Sequence, residues 1–193
     1  MKRDDTYSVK IERLNADGEG VVKIEGRTVL VKGSIPGDEA VIRIRSAKRH
    51  TAIGELVELT APAVERVDPD CPHFGVCGGC RWQNLPYGAQ LDVKAQTVRN
   101  ALSDVRELGP AGDVGIDPSP DIFYYRNKME YSFDSPPGLD GMFLGLHEAG
   151  KFDRVFNVDD CRLLSERSNA IMERVRQFAG ERGLSIYGLK SHI

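Results

Sequence analysis

The sequence predicts an α+β protein in three parts: an OB-like five-stranded β-barrel over residues 1–61, a linker, cysteine loop and helix over 62–110, and a central antiparallel β-sheet with a helix over 111–193. Three observations predict it. Short β-rich runs separated by Gly, Asn, Asp and Pro fill the first sixty residues. Three of the four cysteines crowd between Cys71 and Cys80. Beyond them the apolar spacing alternates between the period of a helix and that of a strand.

In the first part, Tyr7, Val9 and Ile11 share one face of a strand, and Asn15-Ala-Asp-Gly-Glu-Gly20 is turn chemistry. Val21 to Ile24 and Thr28 to Val31 flank Glu25-Gly26-Arg27 as a hairpin. Ser34-Ile-Pro-Gly-Asp38 is a second reversal, with Pro36 and Gly37 where a tight turn favours them. A fourth strand directs Ala40, Ile42 and Ile44 one way and Arg43 and Arg45 the other, and Thr51 to Leu59 supplies a fifth before Pro62. Barrels of this kind commonly hold single-stranded nucleic acid on one face, although fold alone does not establish that use.

After the Pro-bearing linker 61–70 and the cysteine loop, Leu91, Ala95, Val98, Leu102 and Val105 recur at helical spacing, ended by Leu108-Gly109-Pro110. The expected helix packs this stripe beside the loop. Trp82 is assigned to shielding the loop from water, with base stacking as the alternative. Residues 111–121 connect to a strand expected from Tyr124 to Phe133, with Tyr125, Asn127, Met129, Tyr131 and Phe133 on one face. On its other face, Arg126 and Lys128 either meet a phosphate backbone or are simply solvated. Phe143–His147 and Phe152–Val158, joined by Glu148-Ala-Gly-Lys151, predict a hairpin that delivers Cys161 at its end. Ser165 is the expected N-cap of a helix carrying Ile171, Val175 and Phe178 on one face. Leu184 to Leu189 begins a further strand, and the apolar pattern then stops in mid-fold.

Composition narrows the class. With 40% apolar and 28% charged residues and only four cysteines, a disulfide scaffold is excluded. No run approaches the ~18 consecutive apolar residues of a membrane span. The start, Met1-Lys-Arg-Asp-Asp-Thr6, leads into no apolar segment, so the expected compartment is a reducing cytoplasm. A net charge of -3 and a pI near 5.8 argue against gripping nucleic acid by charge alone. The charge is uneven, however. Residues 1–60 carry 11 Lys/Arg against 10 Asp/Glu, leaving 15 against 19 for the rest. Arg43, Arg45, Lys48 and Arg49 concentrate beside His50, either as a solvated edge and turn or as an RNA-facing patch.

Five residues separate Cys71 from Cys77, two separate Cys77 from Cys80, and Cys161 is the remote fourth. A close triplet with one distant partner is a cluster-ligation pattern before it is a disulfide pattern. Zinc remains a rival, with His73 or His147 available as substitutes, although structural zinc more often takes two separated pairs. Plant-type 2Fe-2S proteins use a triplet one residue shorter in its first gap, so spacing does not choose the cluster type.

Asn15-Ala-Asp-Gly-Glu-Gly-Val21 and Val31-Lys-Gly-Ser-Ile-Pro-Gly-Asp38 resemble a TRAM domain, an OB-like RNA-binding module. Cys71-Pro-His-Phe-Gly-Val-Cys77-Gly-Gly-Cys80-Arg-Trp-Gln83, Ala89-Gln-Leu91, Tyr125-Arg-Asn-Lys-Met-Glu-Tyr-Ser-Phe133 and Cys161 resemble the iron-sulfur RNA uracil-5-methyltransferases. The resemblance implies a 4Fe-4S cluster on Cys71, Cys77, Cys80 and Cys161. In that family a separate Rossmann-like domain binds S-adenosylmethionine, a cysteine attacks C6 of a flipped-out uracil, and a base removes the C5 proton after methyl transfer. Here no Gly-rich loop follows a strand and opens a helix, and no fifth cysteine is present. The expectation is therefore the N-terminal portion of such an enzyme, with the Rossmann-like domain absent and no catalytic or S-adenosylmethionine-binding residue of its own, inactive in isolation. Its partner is expected to be structured RNA, ribosomal rather than transfer RNA, contacted through Arg43, Arg45, Lys48, Arg49, Arg126 and Lys128. DNA and membrane partners are not expected, and the chain is read as a monomer. The alternatives are a stand-alone iron-sulfur RNA-binding protein and a zinc-stabilised interaction module. A radical S-adenosylmethionine enzyme would need three and two residues between its triplet cysteines, which this spacing does not match.

Overall fold

The short β-rich runs of the first sixty residues form one curled antiparallel-rich sheet. The computed structural model describes residues 1–103, 115–135 and 141–186. Its first six strands are β1 (Thr6–Lys10), β2 (Arg13–Leu14), β3 (Gly20–Ile24), β4 (Arg27–Val31), β5 (Glu39–Ala47) and β6 (Thr51–Ala61). They run in the order β1-β5-β6-β4-β3-β2, with β4 and β6 the parallel pair. Five strands coincide with the expected runs, and the sixth is Arg13–Leu14, two residues being too few to carry an alternation. The β3–β4 hairpin turns on Glu25 and Gly26, both at positive φ, 50° and 75°, as a two-residue reversal of matching twist requires. Register shifts between β5 and β6 bend both strands and let the sheet wrap its inner face around Val22, Val29, Val31, Ala40, Ile42, Ile44 and Ala52.

The reversal at Ser34–Asp38 is held from within. Asp38 is fully buried and accepts the N–H groups of Ile35 at 2.8 Å and Ala63 at 2.9 Å, while the Arg66 guanidinium closes on both of its oxygens. Burial opposes the charge, but the Arg66 guanidinium and the two backbone donors outweigh it and hold the carboxyl below its ordinary value. A second small core, Ile35, Ala63 and Leu85, receives Ala89 and Val93 of α1 (Tyr87–Leu102). The helix was expected to turn Leu91, Ala95 and Val98 to the cysteine loop. Of that stripe Ala95 is buried and Val98 exposed, and within its own unit the helix packs Ala89 and Val93 on the core of Ile35, Ala63 and Leu85. The reason is positional: Leu85, just before the helix, is already buried in that core and orients the first turn. The expected end of the helix at 108–110 lies outside the described residues. Trp82 belongs to the first unit, where its indole covers Gly18.

Two compact units result. One comprises Met1–Asp68 with Trp82–Pro118, the other Pro69–Arg81 with Ser119–Ile193. The segment 62–110 thus contributes to both. In the second unit, β7 (Ser132–Asp134), β8 (Phe143–His147) and β9 (Val155–Asn157) form a three-stranded antiparallel sheet, and α2 (Glu166–Glu181) follows. The strand expected over Tyr124–Phe133 is reduced to β7. Tyr124 has φ of 56°, and the N–H groups of Tyr124 and Arg126 bond to the carbonyls of Arg162 and Leu163 rather than to a strand. Of the expected inner face, Met129 and Tyr131 pack inward, whereas Tyr125 and Phe133 are exposed.

Ser165 caps α2 as expected, accepting the Ser168 N–H at 3.2 Å. The helix is rotated from the expected face: Asn169, Met172 and Ala179 are buried and Ile171, Val175 and Phe178 are exposed. Asn169 is drawn inward by its bonds to Cys161, and that fixes the rotation. The strand expected from Leu184 to Leu189 extends beyond the described residues, and 184–186 are irregular. Among the described residues no helix is long and apolar enough to cross a membrane.

Candidate cluster site and nucleic-acid interface

All four cysteines fall in the second unit, and none is in a disulfide. The loop from Cys71 to Cys80 is wound on itself by bonds from the Phe74 N–H to the Cys71 carbonyl and from the Val76 and Cys77 N–H groups to the His73 carbonyl. It then docks on the turn after β8. Cys77 bridges to Glu148, the Gly78 N–H donates to the His147 carbonyl at 3.1 Å, and the Ala149 N–H donates to the Val76 carbonyl at 2.8 Å. The hairpin therefore receives the triplet at its turn and leads into Cys161 just past β9.

His73 is engaged in this docking. Its Nε2 accepts the Asp159 N–H at 3.2 Å and its ring lies 5.3 Å from that of Phe156. His147 Nε2 is 3.3 Å from Ser132 Oγ. Of the two histidines named as substitute zinc ligands, His73 thus ties the loop to the segment around β9, and His147 links β8 to β7. Arg162 adds an electrostatic closure: it pairs with Asp70 at 3.0 Å and Asp160 at 3.0 Å and donates to the Tyr124 hydroxyl at 2.8 Å. The residue before the first cysteine is thereby tied to the segment around the last.

Cys161 is the buried member, packed with Leu144, Val158 and Met172. Asn169 grips its backbone twice, accepting the Cys161 N–H and donating to its carbonyl, both at 3.1 Å. Burial first, and then the Cys161 and Cys71 sulfurs, push the Cys77 thiol above its ordinary value, against the N–H groups of Gly79 and Cys80. The Gly79 N–H lies 3.4 Å from Cys77 Sγ. Cys161 and Cys71 both lie within electrostatic range of Cys77. A bound cation reverses the cost, since a coordinating thiol is deprotonated outright. Tyr131 is pushed up to about 12, chiefly by burial and further by Cys161.

Among the described residues no three His, Cys, Asp or Glu side chains form a group that could hold a metal ion. The chemistry of the donor set nonetheless fits a cluster: four thiols without a disulfide in one unit, backbone N–H groups directed at a sulfur, and a partly buried, largely apolar surround.

The six cationic candidates are divided between the units. Arg43 stands opposite Glu55 in the β5–β6 register, and Arg45 pairs with that same Glu55 at 2.7 Å, with Asp4 3.8 Å away. Lys48 and Arg49 are exposed in the β5–β6 turn, where the Lys48 N–H bonds the Thr51 carbonyl. In the second unit, Arg126 is exposed with Nη1 3.8 Å from Met129 Sδ, and exposed Lys128 pairs with Glu130 at 3.1 Å. Exposed pairs of that kind are weak and exchange readily for a phosphate.

Missing from the sequence reading were Asn169, Arg162 and the anchoring role of His73. A polar residue inside an amphipathic helix was the available signal for Asn169; the other two act through partners too distant in sequence for spacing to reveal.

Comparison with known proteins now bears on these features. Residues 2–57 match the TRAM domain family. An RNA methyltransferase of Caldanaerobacter subterraneus subsp. tengcongensis, itself uncharacterized, is 36% identical over 193 residues, covering 100% of this chain and 42% of that protein. Another from Clostridium acetobutylicum is 31% identical with the same coverage. The crystal structure of Pyrococcus abyssi tRNA (uracil-54, C5)-methyltransferase in complex with S-adenosyl-L-homocysteine superposes with a TM-score of 0.68 at 26% identity, over 96% of this chain and 40% of that one. This chain thus spans about two fifths of the length of the proteins it matches. The relatives match it from end to end, which lends no support to the narrower expectation of an N-terminal portion only, and the expected absence of a Rossmann-like domain is not confirmed. The chain carries a TRAM domain at residues 2–57 and is homologous along its whole length to proteins named as RNA methyltransferases.

Proposed function

We propose that this chain provides the RNA-holding and cluster-bearing portion of an S-adenosylmethionine-dependent RNA uracil-5-methyltransferase. The observation that carries this reading is the superposition on the tRNA uracil-C5 methyltransferase over 96% of the chain, beside sequence relatives named as RNA methyltransferases. Cys71, Cys77, Cys80 and Cys161 would hold a 4Fe-4S cluster. Such a group supplies a polynuclear metal–thiolate link between segments distant in sequence, a structural staple that also has a reduction potential.

The chain's own residues perform the remaining work. His73 and the Cys77–Glu148 bridge set the triplet against the hairpin, Asn169 fixes the Cys161 backbone, and Arg162 joins Asp70 to Asp160. The N–H groups near Cys77 favour its thiolate. Lys48 and Arg49, with Arg43 and Arg45 beside them, offer cations to RNA phosphates on the TRAM unit, and Arg126 and Lys128 do so on the other. Methyl transfer to uracil C5 would draw on S-adenosylmethionine, for which no binding residue is assigned in this chain.

The test is to delete the gene and compare 5-methyluridine in digested ribosomal and transfer RNA with that of the parent. Loss of the modification from one RNA, restored by the gene, is expected. An unchanged content in both RNAs would overturn the reading and favour an RNA-binding protein without this chemistry.

A further inference from the structure

Tyr124 has a backbone φ of 56°, a left-handed conformation that a bulky side chain rarely adopts. Two bonds with Arg162 hold it there: the Tyr124 N–H donates to the Arg162 carbonyl at 2.8 Å, and the Arg162 guanidinium donates to the Tyr124 hydroxyl at 2.8 Å. On the other side the Arg126 N–H donates to the Leu163 carbonyl at 2.9 Å. Strain held in place from several directions points to something the segment presents. Between the two pinned residues lies Tyr125. In the alternating pattern it shares a face with Met129 and Tyr131, yet those two pack on the core of Leu144, Val158, Cys161 and Met172 while Tyr125 joins no core and is 58% exposed. The fold fixes the backbone on both sides of this ring and makes no use of the ring itself.

The residues that follow are polar and exposed: Arg126, Asn127, Lys128 and Glu130. Lys128 pairs with Glu130 at 3.1 Å, whereas the guanidinium of Arg126 meets only the Met129 sulfur at 3.8 Å and has no carboxylate partner among the described residues. Asp121 and Glu130 offset Arg126 and Lys128 in formal charge, so charge alone gives this segment no hold on a polyanion. A flat exposed ring beside an unpaired guanidinium does. We propose that Tyr125 is a stacking platform for one base of single-stranded RNA, with the Arg126 guanidinium on the adjoining phosphate. The inference rests on the RNA-holding role proposed above and extends it to a residue outside the six cations. Every base has a π-face, so the contact depends on the planarity of the base and not on its hydrogen-bonding edge. A tyrosine loses only two side-chain torsions on binding, and the pinned backbone presents the ring before RNA arrives, which lowers the ordering cost.

The test measures binding of the whole chain to oligouridine and to the same oligomer built from 5,6-dihydrouridine, whose saturated ring is not flat. Wild type, Tyr125→Ala, Tyr125→Phe and Arg126→Ala are compared at several salt concentrations, with the thermal midpoint of each as a check on folding. Tyr125→Ala is expected to keep the wild-type midpoint and salt slope and to bind oligouridine about ten-fold more weakly. Tyr125→Phe should restore the wild-type affinity. Arg126→Ala should lower the salt slope by about 0.7, the share of one phosphate on a single strand. Wild type should prefer oligouridine to the dihydrouridine oligomer, and Tyr125→Ala should lose that preference. No binding of either RNA by the wild type would remove the RNA-holding role and this proposal together. Wild-type binding that Tyr125→Ala leaves unchanged would overturn this proposal alone, as would a Tyr125→Phe chain as weak as Tyr125→Ala. A change of oligomeric state in Tyr125→Ala with unchanged RNA affinity, read by sedimentation, would likewise overturn it and assign the ring to a contact between copies.

Discussion

Replacing Asn169 by leucine removes the side chain that fixes the backbone of Cys161 while keeping its branched shape. The Asn169 oxygen accepts the Cys161 N–H at 3.1 Å, and its nitrogen donates to the Cys161 carbonyl at 3.1 Å and to Asp160 Oδ1 at 3.4 Å. In Asn169→Leu the Cys161 carbonyl still receives the Leu164 N–H at 3.2 Å, but the Cys161 N–H loses its acceptor. A stranded buried donor costs about 1–3 kcal/mol, and the bonds lost beside it add about 1 kcal/mol. The expected destabilisation is about 2–4 kcal/mol. For a unit of roughly 100 residues that is a drop of about 10 °C or more in the thermal midpoint. Calorimetry of the metal-free chain reads this term, and iron content after anaerobic purification reads its consequence for the fourth ligand. Asn169→Asp keeps the acceptor but cannot donate, so it should fall between. Wild-type midpoint and wild-type iron in Asn169→Leu would refute the reasoning.

Three further outcomes follow from the barrel unit and its cations. The Asp38 carboxyl is held below its ordinary value, so its contribution is complete above the ordinary carboxylate range near ~3.9 and is lost as pH falls through the lowered folded value. Asp38→Asn should cost about 3 kcal/mol at neutral pH by breaking a buried pair, and acid titration of stability should show that the variant lacks this loss at low pH. Gly18→Ala drives a methyl carbon into Trp82 Nε1 at a backbone φ of 77°, so it should displace the indole, red-shift the emission of the sole tryptophan and lower stability by about 2 kcal/mol. Joint replacement of Arg43, Arg45, Lys48 and Arg49 by Ala should weaken RNA binding and lower its salt dependence by roughly one unit for each phosphate that is no longer neutralised. Lys48 and Arg49 should account for more of that change than Arg45, whose charge already faces Glu55; filter binding at several salt concentrations separates them.

Much of the barrel was legible because its code is local. Alternation put Ile42 and Ile44 inside, and Glu25-Gly26 announced its turn. The β8–β9 hairpin and the Ser165 cap were legible for the same reason. What failed depended on tertiary partners. Tyr124 to Tyr131 alternates like a strand, yet its first residues are captured by the carbonyls after Cys161. On α2, the apolar periodicity of Ile171, Val175 and Phe178 lost to one buried asparagine whose amide satisfies another loop's backbone. On α1, Ala89 and Val93 are modest apolar residues that gain their place because Leu85, outside the helix, enters the barrel's second core. The triplet's spacing was visible from the outset. The bonds of Asn169 to Cys161, of Arg162 to Asp70 and Asp160, and of His73 to Asp159 were not, because each is a hydrogen bond or ion pair spanning elements whose arrangement the sequence does not state.

The central claim is that four thiolates, three from one loop and one from beyond a hairpin, hold an iron-sulfur cluster. It is tested most directly by measuring iron, acid-labile sulfide and zinc in the chain purified without oxygen, beside its Cys161→Ser variant. The account predicts about four irons and four sulfides per chain, with a cluster in Cys161→Ser that is incomplete or rapidly lost in air. Stoichiometric zinc with no iron, or an intact and air-stable cluster in Cys161→Ser, would contradict it.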